Sequence, residues 1–116
     1  MAFPKSNLYP KDDQALSGFA RAMGHPARPA IILQLAVEGE ACVENMTRNH
    51  PISQAAMSDH LSILRESHLV KYKEQYPFTF YRLDEKNLDR AEAYLKNFFD
   101  KLRAAKEQKR QKGRRH

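Results

Sequence analysis

The middle of the chain constrains its fold most strongly, because two helical patterns lie on either side of a turn that proline enforces. Residues 42–48 are predicted to form a short helix, and an Asn-His-Pro turn follows it at 49–51. Proline ends a helix and biases the residue before it towards an extended conformation. Ser53 is then a good N-cap for a longer helix over residues 53–66. A short helix, a tight turn and a longer helix predict a helix-turn-helix.

Apolar spacing supports this longer helix and predicts two more helices upstream. The apolar positions of the longer helix are Ala56, Met57, Leu61 and Leu64. The first upstream helix begins near residue 12 or 13, and its apolar positions are Leu16, Phe19, Ala20 and Met23. Pro26 suits the first residue of the next helix, since its missing N–H would have no partner there. That helix turns Ile31, Ile32, Leu35 and Ala36 inward. It ends at Gly39, which favours a left-handed C-cap.

A hairpin and a long final helix complete the pattern. Residues 69–73 and 78–83 are β-rich and flank a turn at 74–77. From residue 84 the helical period returns, and one face carries Leu88, Ala91, Leu95, Phe98, Phe99 and Leu102. A helix of roughly 20 residues is about 30 Å long, which exceeds the needs of a core this small. We expect part of that face to pair with a second chain; the alternative is a stripe that folds back on its own domain.

The charge of the chain is concentrated at one end. The formal net charge is +6, and residues 101–116 hold eight Lys or Arg and one Glu. Subtracting these from 20 bases and 14 acids leaves residues 1–100 with twelve bases and thirteen acids. We therefore expect an N-terminal extension at 1–11, a folded domain at 12–104 and a basic tail at 105–116. With no apolar residue beyond residue 105, the tail is expected to be frayed or disordered.

Several classes of protein are excluded at this stage. No apolar run approaches the roughly 18 residues that span a bilayer, and the N-terminus lacks a secretory core, so we expect a cytoplasmic protein without a membrane partner. The absence of a glycine-rich phosphate loop, a nucleophile motif and a His-Glu-x-x-His pattern argues against an enzyme, a catalytic residue or a cofactor. Ser58-Asp59-His60 is no triad, since neighbouring helical side chains point about 100° apart.

Several stretches together form a family pattern. Residues 24–28 read Gly-His-Pro-Ala-Arg, and residues 39–43 read Gly-Glu-Ala-Cys-Val. With the helix at 52–66 and the strand residues at 69–70 and 81–83, they resemble the ArsR/SmtB family of winged-helix repressors over roughly residues 15–102. The resemblance implies a mainly α fold with a β-hairpin wing, a winged helix-turn-helix in the order α1-α2-α3-α4-β-β-α5.

The sequence departs from the family at its metal ligands. The family's second cysteine is Glu44 here, and one thiolate with one carboxylate suits a soft metal poorly. The final helix has no histidine between residues 84 and 102, so we expect no metal site there either. Cys42 is a candidate redox thiol near a helix start, or a small buried apolar side chain. The scattered histidines are interpreted as caps, surface groups or base contacts rather than ligands, and an approach of His50 to His60 is the alternative.

The resemblance implies that the helix at 53–66 enters the major groove of double-stranded DNA. Candidate base contacts are Ser53, Gln54, Ala55, Ser58, Asp59, His60 and Ser62. Gln54 can form two hydrogen bonds with adenine, whereas Asp59 can accept from the cytosine amino group but repels phosphate. Candidate phosphate contacts are Lys71, Lys73 and Arg82 on or beside the wing, with Arg28 and Arg48 nearer the helices.

These assignments predict a homodimeric repressor that reads a palindromic operator, with half-sites about one helical turn apart. The candidate dimer interface consists of Leu16, Phe19, Leu88, Ala91, Leu95, Phe98, Phe99 and Leu102. The sequence leaves three kinds of signal open: an apolar small molecule between the terminal helices, a redox reaction of the Cys42 thiol, or no inducer at all. The alternative is a winged-helix protein-interaction module whose basic tail binds nucleic acid without specificity, and the nearly neutral body favours it.

Overall fold

The fold is known from a computed structural model that describes residues 8–114. Within that range the chain forms five helices and one three-stranded antiparallel sheet. The elements in chain order are α1 (Lys11–Ala22), α2 (Ala27–Glu38), β1 (Ala41–Cys42), α3 (Val43–Arg48), α4 (Gln54–Glu66), β2 (Val70–Gln75), β3 (Phe78–Leu83) and α5 (Glu85–Arg114). The predicted winged helix-turn-helix is confirmed. Most of the predicted extension at 1–11 lies outside the described residues.

The ends of the helices follow the local signals in the sequence. Gly39 closes α2 with a φ of 79°, a left-handed conformation that glycine adopts without a steric penalty. Ser53 precedes α4, and its Oγ accepts a hydrogen bond from the backbone N–H of Ala56 at 3.1 Å. Pro26 is the N-cap of α2 rather than its first helical residue, a shift of one position.

β1 is an element that the sequence pattern did not predict. Cys42 was expected to begin the third helix, but it lies in a two-residue strand and is the N-cap of α3. Ala41 pairs with Tyr81 and Cys42 pairs with Phe80, which places β1 beside β3 in the sheet order β1-β3-β2. Two residues are too few to show the alternation that identifies a strand.

The core lies between α2, α3, α4 and the sheet. Its fully buried large side chains are Ile31, Leu35, Met46, Met57, Leu61 and Leu64. Leu69, Val70 and Tyr81 extend this cluster onto the hairpin. Ala36, which was expected to face inward, is exposed, and Ile32 is only partly buried. The inward face of α2 is therefore narrower than its apolar composition indicates.

α5 continues well beyond its predicted end. Helix was expected to about residue 102 with a frayed tail after it, yet α5 extends to Arg114. Alanine, lysine, arginine and glutamine all favour helix, and adding residues to a folded helix avoids the cost of nucleation. The expectation of disorder was wrong here because it rested on the missing apolar face alone. None of the helices over residues 8–114 is both long and apolar enough to span a membrane.

Candidate nucleic-acid interface

One face of α4 is open to solvent while the other is packed into the core. Met57, Leu61 and Leu64 anchor the inner face and are fully buried. Residues four apart lie on the same face of a helix, so the outer side chains form a continuous row. The predicted base contacts that are exposed on or at the start of this helix are Ser53, Gln54, Ala55, Ser58, Asp59 and Ser62. The surface is polar and holds a single charge among these six residues.

His60 does not lie with this row. Each residue of a helix adds a rotation of about 100°, so His60 is turned about 200° from Ser58. Its ring lies beside that of His25, with the centroids 4.4 Å apart. An Arg28 guanidinium nitrogen lies 3.3 Å from its Nδ1. His60, predicted to contact bases, therefore connects α4 to the turn between α1 and α2.

The contacts of Arg28 indicate which protonation state of His60 this arrangement favours. A guanidinium only donates hydrogen bonds, so His60 Nδ1 must accept. Arg28 Nε also donates to the carbonyl oxygen of Ala22 at 2.7 Å, which holds its side chain in place. Burial lowers the pKa of His60, and electrostatic interactions with His25 and Arg28 lower it further, against a smaller opposing effect of Asp59. Neutral His60 is the form that suits this cluster.

His50 and His60 each contact a different residue rather than one another. His50 Nε2 donates to Gln34 Oε1 at 2.7 Å and so connects the end of α3 to α2. The histidine that lies against His60 is His25, in the turn before α2. The pattern could not identify that partner, because His25 and His60 are far apart in the chain and only the packing of α4 on the α1–α2 turn brings them together.

The hairpin divides its residues between two faces. Residues directly opposite one another on paired strands share a face, and successive residues alternate. Lys71 pairs with Arg82 and Lys73 pairs with Phe80, so the three phosphate contacts predicted on the wing lie on one side. We call this side the outer face of the wing.

The other side of the hairpin packs against the domain. It carries the buried Val70 and Tyr81. It also carries Tyr72, whose ring lies 4.8 Å from the guanidinium carbon of Arg65 at the end of α4. The three cations of the outer face therefore point away from the side that contacts α4, and the wing and the exposed row of α4 are separate surfaces.

The predicted dimer residues divide into two groups. Phe19 and Leu88 pack against the core of their own domain, Ala91 is buried, and Leu16 and Leu95 are partly buried. Further along α5, Phe98, Phe99 and Leu102 are 44%, 48% and 39% exposed. The first group is used within the chain, where α1 packs on α5. The second group has little cover from the described part of the chain.

A groove opens where α1, the end of α4 and α5 meet. Its volume is about 430 Å³, and its wall includes Phe19, Arg21, His68, Arg90 and Tyr94. The wall mixes aromatic and cationic side chains and borders the buried part of the predicted dimer surface. The groove lies on the same side of the domain as that surface.

Cys42 and Glu44 lie around the start of α3. Cys42 is half-buried and its thiol is not in a disulfide. One carboxylate oxygen of Glu44 is buried, and it has no hydrogen-bond partner among the described residues. Over residues 8–114 no group of three His, Cys, Asp or Glu side chains is placed to hold a metal ion.

The exposed helix over a packed core, with a hairpin beside it, defines a winged helix-turn-helix protein. Residues 25–72 match the sequence pattern described as "Bacterial regulatory protein, arsR family". The Biofilm growth-associated repressor of Xylella fastidiosa (strain Temecula1) is 33% identical over 70 residues, which are 60% of this chain and 60% of that protein. The chain thus spans 60% of the length of the first curated relatives that it matches.

Solved structures agree with this match. The solved structure of a "Possible transcriptional regulator for arsenical resistance" has a TM-score of 0.64 and 31% identity, and the match covers 73% of this chain and 92% of that one. The transcriptional repressor BigR from Xylella fastidiosa has a TM-score of 0.60 and 27% identity, with 83% and 97% covered. Residues 25–72 of this chain therefore carry the ArsR-family sequence pattern. The family and these neighbours are transcriptional regulators rather than enzymes.

Proposed function

We propose that this protein is a transcriptional repressor that binds a specific duplex DNA sequence with α4. The observation that carries the proposal is the exposed polar row of α4 on a rigid core. Gln54, Ser58 and Ser62 are exposed, while Met57, Leu61 and Leu64 on the opposite side are fully buried. A helix held in this way can enter a major groove without losing its packing.

The chemistry of the row favours recognition of bases over nonspecific attraction. Gln54 can donate to and accept from adenine at once, and the Ala55 methyl group can contact a thymine methyl. The serines can bond either bases or phosphates, and Asp59 can accept only from an amino group such as that of cytosine. Because the row holds no cation, it adds little sequence-independent affinity.

The phosphate contacts must therefore come from elsewhere in the molecule. Lys71, Lys73 and Arg82 on the outer face of the wing are exposed and suited to this role. Phosphate contacts orient a protein on the duplex and supply most of its salt-dependent affinity. We therefore propose that α4 selects the DNA sequence and that the wing fixes the position of the protein on the duplex.

We further propose that the protein acts as a homodimer through α1 and α5. The exposed Phe98, Phe99 and Leu102 continue the partly buried surface formed by Leu16 and Leu95. Covering them with a second copy removes apolar area from water, at about 25 cal/mol per Å². Two copies of α4 would then read the two halves of a palindrome.

An inducer would act at one of two places. The groove beside Arg21 and Tyr94 borders the proposed dimer surface, so a small molecule bound there could change how the two copies pack. Oxidation of the Cys42 thiol would act instead at the start of α3, which precedes α4 in the helix-turn-helix.

The test is selection of binding sites from a pool of random duplexes, followed by affinity measurements with Gln54→Ala. The proposal expects an enriched palindromic site and a loss of preference at one base pair per half-site, by roughly 5- to 150-fold for a bidentate contact. Gln108→Ala is the matched control, because Gln108 is an exposed glutamine on α5. An unselective wild-type protein, or a Gln54→Ala variant with unchanged preference, would contradict the proposal.

The second candidate function is a protein-interaction module with a basic arm that binds nucleic acid nonspecifically. The charge distribution favours it, since residues 1–100 hold twelve bases and thirteen acids. On this account α4 is a solvated face and the last third of α5 supplies all affinity for nucleic acid.

A further inference from the structure

The tip of the hairpin exposes aromatic side chains that its own domain does not cover. Tyr76 is 99% exposed and Phe78 is 45% exposed. Every residue from Lys71 to Phe78 is exposed, so this part of the hairpin projects beyond the core. Tyr76 and Pro77 form the two-residue turn at the end. The projection is narrow, because only two paired strands build it.

The two phenylalanines of β3 share the outer face of the wing with its three cationic side chains. Phe78 lies opposite Gln75, and Phe80 lies opposite Lys73. The rings of Phe78 and Phe80 meet edge to face, with centroids 6.2 Å apart. Glu74 is the only carboxylate in the two strands, and it lies on the other face opposite Thr79. The outer face therefore combines apolar rings near its tip with positive charge behind them.

The arrangement of charge on this face indicates an anionic partner. Lys71 and Arg82 are directly opposite one another, and like charges at such positions destabilise a strand pair. Among residues 8–114 there are two ion pairs, and both lie within α5. Neither Lys71 nor Arg82 therefore forms an ion pair with a carboxylate of the described residues. A polyanion lying along the hairpin would relieve that repulsion, and the rings would then meet whatever lies between its charges.

We propose that the wing tip is a minor-groove wedge, in which Tyr76 and Phe78 press between base steps and bend the duplex while Lys71, Lys73 and Arg82 hold the flanking phosphates. The proposal rests on the DNA-binding function proposed above. Duplex DNA fits because it offers a groove of about 6 Å width between two rows of phosphates. Apolar side chains that enter the minor groove unstack base steps and bend DNA by roughly 20–90°.

The bend is measured by energy transfer between dyes at the two ends of the selected duplex, with affinity measured in parallel. Tyr76→Ala is the main variant because this side chain contributes no packing to the fold, and Phe78→Ala is the second. Each is expected to lower affinity about tenfold, as is usual when base–aromatic stacking is removed, and to reduce the bend. Thr79→Ala, on the opposite face at the same height, is the matched control. The melting temperature of every variant is recorded to separate folding from binding.

A second readout comes from the selected sites themselves. Flexible pyrimidine–purine steps are the easiest to kink, so they should be enriched where the wing lies, outside the bases that α4 contacts. Tyr76→Ala should remove that enrichment and leave the preference governed by Gln54 intact. A wild-type protein that selects a site but leaves the duplex straight, or wing variants that bend and bind it as the wild type does, would overturn the wedge alone. A wild-type protein with no preferred duplex would overturn the proposed function as well.

Discussion

Ser53 determines where α4 begins. Its Oγ accepts the N–H of Ala56 at 3.1 Å, which satisfies one of the backbone donors that a helix leaves open at its start. We expect Ser53→Ala to lower the free energy of unfolding by about 1 kcal/mol. Denaturant titration measures this change. Ser62→Ala, on the exposed face of the same helix, should be neutral or slightly stabilising, and an equal loss in both variants would refute the capping role.

Protonation of His60 should weaken the contact between α4 and the α1–α2 turn. Burial and electrostatic interactions with His25 and Arg28 hold the pKa of His60 below its ordinary value near 6.5. The unfolded chain then binds this proton more readily than the folded one, so stability rises with pH. The contribution is present in full above about pH 6.5 and declines as the pH falls through the lower pKa of the folded state.

The measurement is denaturant stability at pH 7.5 and pH 5.5. The wild type should be less stable at the lower pH, and His60→Gln should lose part of that difference because glutamine keeps an acceptor but does not titrate. His68→Asn is the control, since His68 is exposed with a φ of 59°, which asparagine tolerates. Equal pH dependence in the wild type and His60→Gln would show that His60 does not contribute.

Local patterns in the sequence predicted the positions of some side chains and gave no information about the contacts of others. Ser53 could be placed because capping depends on a few neighbouring residues. The exposure of Gln54 and Ser58 follows from helical spacing alone. The contact of His60 with His25 and Arg28 depends on how two distant helices pack, and no local pattern contains that information.

Among the elements, α5 has three different surfaces along its length. Its first half packs on α1 and the core, and its middle exposes Phe98, Phe99 and Leu102. Residues 103–114 are all exposed, and six of these twelve are Lys or Arg. The proposed dimer contact therefore centres on the middle of the helix. The first half of the helix already packs against its own chain, and the C-terminal part carries only polar or small side chains.

We expect Leu102→Glu to convert a dimer into a monomer, because a carboxylate in a buried apolar contact has no partner and must be desolvated. Light scattering after size-exclusion chromatography measures the mass at micromolar concentration. Asn97→Glu makes the same charge change on another face of the helix, where Asn97 is exposed, and should remain a dimer. A monomeric wild type, or a Leu102→Glu variant that is still dimeric, would contradict the proposed interface.

The apolar pattern of the sequence predicts some of these elements and misses others. Apolar spacing over a dozen residues predicted α1, α2 and α4, since each buries one face. β1 was missed because two residues carry no period, and the end of α5 was missed because a helix without a buried face leaves no apolar signal. Both omissions concern segments whose conformation depends on a neighbour: β1 pairs with β3, and the last turns of α5 extend a helix that is already formed.

For the whole molecule, the two candidate functions differ in which region supplies DNA binding. Truncation after Leu102 removes most of the basic segment at 101–116 and leaves the core residues and the wing in place. We expect the truncated dimer to select the same site as the full chain. Its salt dependence should be weaker, by about 0.9 in the logarithmic slope for each phosphate that only the removed segment neutralised.

Fluorescence anisotropy over a range of salt concentrations measures both properties. A duplex of scrambled sequence gives the nonspecific reference for each form of the protein. If binding disappears with the arm and the remaining chain shows no sequence preference, α4 is not a reader and the protein-interaction function is the better account.

Hydroxyl-radical footprinting of the full-length protein on its selected duplex is the sharpest test of whether two copies of α4 read one operator. Two copies held by one dimer should protect two half-sites whose centres lie about 10 base pairs apart, or a multiple of that spacing, on the same side of the duplex. Protection should be symmetric about the centre of the palindrome. A single protected half-site, or uniform protection along the duplex, would contradict a dimeric reader of a palindromic operator.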